Sequence, residues 1–470
     1  MRLYPQQLVR ILKPKMVIEG KASWLEGVAI DSRECQPGQL FVALPGSKTD
    51  GALFIPDVLR KGAGGVVTER SISDFPHDFY FFQVNNSRDS LIRIGKMARE
   101  EISGTKIAIT GTVGKTSCKS FFRQLLAAEF KVEATPRNYN TSLGVAYSLA
   151  NFSLESDFYI LEAGISCKGE MAILQTLTQP EIVVFTFFGK GHLQELETEE
   201  MVVEEKLKLV SDKTNRVYLN VDNPFWKMAK DRLKQTGKEV ILFGKGSYPS
   251  DLRLSNFRLD LEQKMGIFEI TWQGEILTLR APIFFPEVAS LLLPAVHFAL
   301  DSGISRARLQ SVLKEVKLPR GRGGVLFFKN GMVIDDWYNA NPHSYLKLIC
   351  FLDFLAQRGY QVWAVVGDML ELGKISPVAH RQVVEKFFHS AVDQIFIYGD
   401  RFRQAVEEMG LDPKTEKRFC FLSSPEEAQT LLRDKLEKEK PDRWAVAFKG
   451  SRAMNIEKAL LPEWGIDDGI

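Results

Sequence analysis

The sequence predicts an α/β protein of three domains, the central one a parallel sheet built around a glycine-rich loop. Three observations carry this. Between residues 105 and 315, apolar runs such as "KIAIT", "DFYILEAG", "EIVVFTFFG", "RVYLNVD" and "EVILFG" alternate with helical stretches. Strands apolar throughout and joined by helices belong to parallel sheets covered on both faces. A second series, "MVIDDW", "QVWAVVG", "DQIFIYG" and "RWAVAFKG", follows "LPRGRGG" at 318–324 and predicts a Rossmann-like C-terminal domain. Finally, 470 residues exceed what one ordinary core accommodates.

Taken in order, residues 1–104 form a first small α/β unit. "GQLFVALPG" and "GAGGVVTER" read as short strands separated by the helical "ALFIPDVLRKGA", and the helix "SRDSLIRIGKMAREEI" leads to a polar boundary, "SGTK". The stretch "ITGTVGKTSCKSFF" (109–122) comes next. It has the Gly-Lys-Thr end of a phosphate-binding loop, but Ile109 stands where the general pattern G-x-x-x-x-G-K-[ST] has glycine. "KIAIT" is a strand, Gly111–Gly114 a tight turn, and 115–130 carries apolar residues at helical spacing. Strand, turn and helix place unpaired N–H groups and a positive helix end at one point, which suits a polyphosphate. Lys115 would reach the outer phosphates and Thr116 would offer its hydroxyl to Mg²⁺; a plain glycine turn with a chance lysine is the competing reading. Residues 251–280 alternate like an antiparallel meander attached to the central sheet, and the third α/β segment runs from about 316 to 470.

The bulk properties exclude several classes. A net charge of +2 gives no reason to expect nucleic acid or an anionic membrane as partner. Five scattered cysteines, with no C-x-x-C pair, imply neither a disulfide framework nor a zinc site and fit a reducing compartment. The N-terminus lacks the apolar core of a signal peptide, and "SLLLPAVHFAL" is too short to span a bilayer. A cytoplasmic protein is expected, with nothing requiring more than a monomer.

Ligands of parallel α/β sheets bind at the carboxyl ends of the strands. There the chain places Glu162, His192, Asp335 and Asp336 with Asn339 and Asn341, Asp368 and Glu371, and Lys449 and Arg452. Polar residues at so many strand ends predict a cleft between two domains. Singly, each has a plainer reading: Glu162 as a helix cap, His192 as a packed histidine, "YNANP" as a turn, Lys449 and Arg452 as solvated charges.

Their joint order resembles the Mur ligase family. The resemblance covers nearly the whole chain: "DSRECQPGQLFVALPGSKTDGALFI" in the first segment, the "TGTVGKT" loop (the family's form of the phosphate loop), "TPRNYNTSLG", "LEAG" with "GHLQEL", and then "IDDWYNANPHS", "VVGDMLELG" and "FKGSRAMNIE". It implies a small UDP-binding domain (1–104), a central P-loop ATPase domain (105–315) and a C-terminal domain (316–470) that binds the incoming dipeptide and closes over ATP. The implied activity is ATP-dependent joining of D-alanyl-D-alanine to UDP-N-acetylmuramoyl-tripeptide in peptidoglycan precursor synthesis. ATP and two Mg²⁺ ions are the implied cofactors.

The resemblance also implies roles. Gly111, Thr112, Gly114, Lys115, Thr116 and Ser117 would hold the ATP phosphates, Arg322 the γ-phosphate and Asp336 the ribose, with Asn339, Asn341 and His343 near the nucleotide. Thr116 would bind one Mg²⁺, and Glu162 and His192 the other. A lysine 14 residues beyond that histidine, Lys206, would be carbamylated and help hold it; a carbamate turns a cation into an anion. Lys115, Glu162, His192 and Lys206 are the implied catalytic set. Ser32, Arg33, Asp50 and Gly51 would form part of the uridine-diphosphate pocket, and Thr135, Asn138 and Asn140 the muramoyl-peptide channel. Asp368, Glu371, Lys449 and Arg452 complete the substrate set.

The chain departs from the family pattern in places. "TFFG" stands for "TNIG", putting Phe187 in place of an asparagine beside the metal site, with Lys190 soon after. "FFPEVASLLLPA" stands for the nucleotide-seating "G.HN..N.laA" run, and Ala52 for a common histidine. Two other readings remain. A relative adding the third amino acid typically carries "DNPR" in its last domain and "YAHTP" where this chain has "YNANP". A family member that binds UDP-muramoyl peptide without turnover is the other.

Overall fold

The computed structural model describes residues 1–46, 49–72, 75–188, 198–246, 248–411 and 416–466. They fall into two compact units, Met1–Arg253 with Leu292–Leu309, and Leu254–Leu291 with Gln310–Ile470.

The first unit holds two large sheets and a short antiparallel pair, Arg2–Leu3 with Leu25–Glu26. Strands β1 (Met16–Ile18), β2 (Val28–Ala29), β3 (Leu40–Val42), β4 (Gly65–Thr68) and β5 (Tyr80–Gln83) make a five-stranded sheet of order β1-β5-β4-β3-β2. It is parallel except for β1 against β5. Helix α1 (Ser87–Glu101) starts where the Asn86 side chain accepts the N–H of Asp89, and it buries Leu91, Ile94 and Ala98.

The central sheet follows at once. Strands β6 (Thr105–Thr110), β7 (Val132–Ala134), β8 (Phe158–Glu162), β9 (Ile182–Phe185), β10 (Arg216–Asn220) and β11 (Glu239–Gly244) are all parallel, in the order β11-β10-β9-β6-β8-β7. The chain passes from β6 to β7 and β8 on one side, then to β9 on the other. β6 therefore lies at the point where the strand order reverses, the place where such sheets bind ligands. Helices α2 (Lys115–Leu126), α3 (Ser142–Asn151) and α4 (Glu199–Leu207) belong to this sheet. β8 is buried along its whole length, as a strand covered on both faces must be. α2 ends at Leu126, short of the apolar run to Phe130.

In the second unit, β12 (Leu252–Asp260), β13 (Met265–Trp272) and β14 (Glu275–Ala281) form the expected meander. β13 and β14 pair antiparallel from Gly266↔Ala281 to Trp272↔Glu275. Gln273 (φ 50°) and Gly274 (φ 77°) both take left-handed conformations between them, as a two-residue hairpin turn requires. The rest is a six-stranded sheet: β15 (Gly324–Phe327), β16 (Gly331–Asp336), β17 (Gln361–Gly367), β18 (Gln394–Tyr398), β19 (Phe419–Phe421) and β20 (Trp444–Lys449), ordered β15-β16-β20-β17-β18-β19. Only the edge strand β15 is antiparallel. Helices α5 (Pro342–Ala356), α6 (Ser376–Phe388) and α7 (Asp400–Glu408) connect its strands. The α/β class and the parallel order of both large sheets agree with the sequence. No helix of the described residues is long and apolar enough to cross a membrane, and the five cysteines are free thiols.

Within the first unit, α1 and α3 approach very closely. A Cβ added at Gly95 would lie 2.6 Å from the Ala146 Cα and 3.0 Å from its carbonyl oxygen. Gly95→Ala is therefore expected to cost about 1–3 kcal/mol through overpacking. Urea unfolding of the variant against the parent measures this, and an unchanged midpoint would mean that the two helices can separate freely.

Candidate functional site

β6 delivers the chain to a loop fixed by the end of β9. Gly111 has φ +155°, and a Cβ there would fall 2.0 Å from the Thr186 hydroxyl oxygen. That hydroxyl donates to the Val113 carbonyl at 2.7 Å, while the Thr112 N–H donates to the Phe187 carbonyl at 2.7 Å. Phe187 thus contributes its backbone here, and Val113 bridges to it. Gly114, at φ 90°, opens α2, whose first turn has no side-chain cap. Lys115 Nζ donates to the carbonyls of Gly111 (2.8 Å) and Thr112 (3.3 Å). Ser117 is buried beneath the loop-bearing turn.

The centre of the site is Glu162, at the end of β8 and fully buried. Its Oε1 accepts from the Thr116 hydroxyl (3.2 Å) and the Asn140 amide (3.1 Å). Lys119, one turn into α2, places Nζ 3.0 Å from Oε2. Nζ also donates to the carbonyls of Thr135 (2.8 Å) and Arg137 (2.7 Å). The Thr135 hydroxyl accepts the Glu162 N–H at 3.1 Å. Burial drives the Glu162 carboxyl toward protonation, but the charges of Lys119 and Lys115 and the Asn140 bond outweigh it and hold it below the ordinary carboxylate value.

Lys206, on α4, is 1% exposed. Burial, reinforced by the charge of Lys115 and opposed by Glu205, pushes its ammonium down to about 7. Glu205 accepts the Gly169 N–H and pairs with Lys208. His192 lies outside the described residues, as does Lys190. Among the described residues no group of three or more histidine, cysteine or acidic side chains is arranged to hold a metal. The Glu162 carboxylate and the Thr116 hydroxyl, 3.2 Å apart, nevertheless form a hard oxygen donor set of the kind that fits Mg²⁺.

In the loop at 135–140, Asn140 reaches Glu162, Thr135 is buried, and Asn138 is exposed with its carbonyl on the Asn140 N–H. Arg137 pairs with Glu34 at 3.2 Å and ties this loop to the Ser32–Arg33 segment. There the carbonyls of Ser32 and Arg33 accept from Lys61, and the Arg33 side chain pairs with Asp31. Asp50 caps the turn that begins at Gly51 and pairs with Arg70 at 2.5 Å. The Gly51 N–H donates to the Leu44 carbonyl.

The second unit carries its own cluster. Arg320 pairs with buried Asp335 at 3.0 Å, whose carboxyl is raised by burial and only partly relieved by Arg320. The Arg322 guanidinium lies 3.7 Å from the centre of the Tyr338 ring, and Arg452 lies 5.8 Å from the same ring. Asp336 pairs with Lys449 at 2.5 Å, and Lys449 also reaches the Asn339 carbonyl. The Asn339 side chain accepts the Ala340 N–H, and Asn341 forms a reciprocal cap with Ser344 at the start of α5. Asp368 gives both carboxylate oxygens to the N–H groups of Arg401 and Phe402, while Glu371 is exposed. The departing stretch at 284–287 lines a groove of about 660 Å³ with Phe351, Phe354 and His343.

Residues 25–78, 109–284 and 321–452 match the family profiles described as "Mur ligase family, catalytic domain", "Mur ligase middle domain" and "Mur ligase, glutamate ligase domain". The chain belongs to the Mur ligase family. A UDP-N-acetylmuramoyl-tripeptide–D-alanyl-D-alanine ligase of Bacillus subtilis is 26% identical over 439 residues, covering 93% of this chain and 92% of its own. The fold is shared with the MurF crystal structure from Acinetobacter baumannii (TM-score 0.84, 24% identity, 98% of both chains). It is shared too with the Thermotoga maritima MurF ligase in complex with ADP (TM-score 0.74, 24% identity, 92% of this chain and 96% of that one).

Lys119 and Thr186 are the site residues that the motifs do not single out. The lysine follows Thr116 by three residues, so the two share a helix face, and that spacing was the available signal. Removing one partner of a buried ion pair leaves an uncompensated charge. Lys119→Met is expected to lower the unfolding free energy by about 3–5 kcal/mol. Denaturant unfolding should show the loss, and adding Glu162→Gln should restore much of it; equal stability of the single variant and the parent would contradict the pairing.

Proposed function

We propose that this chain is the ATP-dependent ligase that joins D-alanyl-D-alanine to UDP-N-acetylmuramoyl-tripeptide in cytoplasmic peptidoglycan precursor synthesis. The supporting observation is that one buried carboxylate, Glu162, binds both Thr116 of the phosphate loop and Asn140 of the substrate loop. The reacting phosphate and the reacting carboxylate would meet there. Residues 1–104 would bind the UDP-muramoyl moiety, 105–315 ATP, and 316–470 the dipeptide.

The chemistry follows from a poor leaving group. A carboxylate cannot lose oxide, so ATP first transfers its γ-phosphoryl group to the C-terminal carboxylate of the tripeptide, giving an acyl phosphate and ADP. The dipeptide amine then adds to the acyl carbon, and the tetrahedral intermediate expels phosphate. The uncapped N–H groups of α2 and the Lys115 ammonium would hold the β- and γ-phosphates. Arg322, on its Tyr338 platform, would balance the γ-phosphate charge, and Asp336 would take the ribose hydroxyls. Thr116, Glu162, His192 and Lys206 would hold two Mg²⁺ ions, which when bound offset the repulsion between two anions brought together. A lysine lowered to about 7 is a free amine in a substantial fraction of molecules at neutral pH, unlike an ordinary lysine. That amine can add to CO₂ with loss of a proton, leaving a carbamate on Lys206.

Phosphate release from ATP and Mg²⁺ by the purified protein, with product masses, tests this. Release should require both UDP-N-acetylmuramoyl-tripeptide and D-Ala-D-Ala and yield the pentapeptide. Lys115→Ala should reduce it by about a hundredfold or more. Binding of the UDP-tripeptide without phosphate release, whatever the amine acceptor, would identify a family member that does not turn over.

A further inference from the structure

Two arginines stand two positions apart in "RGRGG" (320–324), and the fold uses them differently. Only Arg322 has a role in the reading above. Arg320 turns its guanidinium back to Asp335, 3.0 Å away near the end of β16, whose side chain is 3% exposed. Without that partner Asp335 would be an uncompensated buried charge. Arg322 instead lies over the Tyr338 ring, 3.7 Å from its centre, and its charge favours the ionised form of Asp336.

The backbone between them is unusual. Glycines flank Arg322 on both sides, with φ 71° at Gly321 and 83° at Gly323. Glycine adds conformational freedom, and a bend with two of them would not by itself aim a side chain. Three ties to the segment 335–338 remove that freedom. They are the Arg320–Asp335 pair, the Tyr338 N–H on the Gly321 carbonyl at 3.1 Å, and the Gly323 N–H on the Asp335 carbonyl at 2.8 Å. Gly321 is pressed against the same segment, since a Cβ there would lie 3.0 Å from both Trp337 Cδ2 and the Tyr338 nitrogen. Of the three ties, the ion pair is the one made by side chains, so it is the one that substitution can remove.

We propose that Arg320 is a positioning residue for phosphoryl transfer: its pair with Asp335 closes the 320–323 bend and holds the Arg322 guanidinium on the Tyr338 ring, where it meets the γ-phosphate. This rests on the ligase reading and on the part given there to Arg322. Stacking fixes the plane of a guanidinium; where it sits along the ring is set by the backbone that carries it. Ordering the bend beforehand lowers the cost of aligning the cation when the anion arrives. The γ-phosphate is what separates ATP from ADP. Loosening the bend should therefore weaken binding of a triphosphate and spare a diphosphate.

Calorimetric titration of the purified protein in Mg²⁺, with ADP and with the non-hydrolysable triphosphate AMP-PNP, tests the proposal. Arg322→Ala should lose about tenfold in AMP-PNP affinity while ADP stays within about twofold. Arg320→Met joined to Asp335→Asn removes the ion pair without leaving a buried charge, and should lose about as much. Adding Arg322→Ala to that pair should cost at most about a further twofold, because the arginines act through one another. Arg320→Lys keeps the charge without the planar fork and should lose about threefold.

An equal weakening of ADP and AMP-PNP in the paired variant would mean a general disturbance and overturns the assignment. So does an unchanged AMP-PNP affinity, or a loss fully additive with that of Arg322→Ala. Should the paired variant fail to fold, Arg320→Lys, alone and with Arg322→Ala, decides by the same criteria. Full AMP-PNP affinity in Arg322→Ala overturns the γ-phosphate role in the ligase reading and this inference with it. The expected loss in Arg322→Ala beside indifferent Arg320 variants overturns this inference alone.

Discussion

A carboxylate buried at the end of a central strand must be surrounded by cations and donors, and Glu162 imposes that demand on everything around it. The desolvation cost of such a group runs to several kcal/mol. It is offset by Thr116 and Lys119 from one face of α2 and by Asn140 and Thr135 from the loop after β7. The glycine loop at 111–114, the loop at 135–140 and the strand end are therefore one electrostatic assembly. Lys119 contributes twice, since it also holds that loop through the Thr135 and Arg137 carbonyls.

The two large sheets treat their helix N-termini in opposite ways. In both, a glycine with positive φ lets a polar group come close. At Gly111 that group is the Thr186 hydroxyl; at Gly399, φ 135°, it is the Asp368 carboxylate, 2.4–2.6 Å from where a Cβ would stand. Asp368 then supplies the cap that α7 lacks from its own N-cap residue. Its helix end is thereby closed by a carboxylate from another strand. The N-terminus of α2 has no side-chain cap, and the Thr186 bonds shape the loop before it without filling that end. A filled helix end organises the fold; an open one suits an anion.

Much of this was legible in the sequence because it is local. Ile109, the odd residue in the phosphate-loop pattern, is a fully buried member of β6: the strand runs through the position at which the general motif already turns. The glycines at 111 and 114, the lysine and threonine after them, and the apolar strands could all be read from spacing. The short or edge strands β7, β15 and β19 carry too few residues to leave a pattern. Lys119 resembles any helix lysine until β8 is placed against α2. The capping of α7 by Asp368 depends on a glycine some thirty positions later. Such pairings become visible only when distant segments are brought together.

The stretch that departs most from the family pattern shows why lost motif residues are not lost structure. "FFPEVAS" begins a short helix at Pro286, where proline suits the first turn. Phe284 packs against Phe327 and Phe285 against Phe351, with ring centres 5.4 and 5.0 Å apart, and Glu287 pairs with Lys347 at 2.9 Å. Aromatic pairs of this kind contribute about 0.5–1.5 kcal/mol each beyond burial. A segment released from any structural demand would not keep ring contacts, a suitably placed proline and an ion pair together. The exchange replaces amide hydrogen-bonding groups with ring faces and one acid–base pair along the wall of the groove. The wall of the groove is thereby well packed, held by two ring contacts and one ion pair.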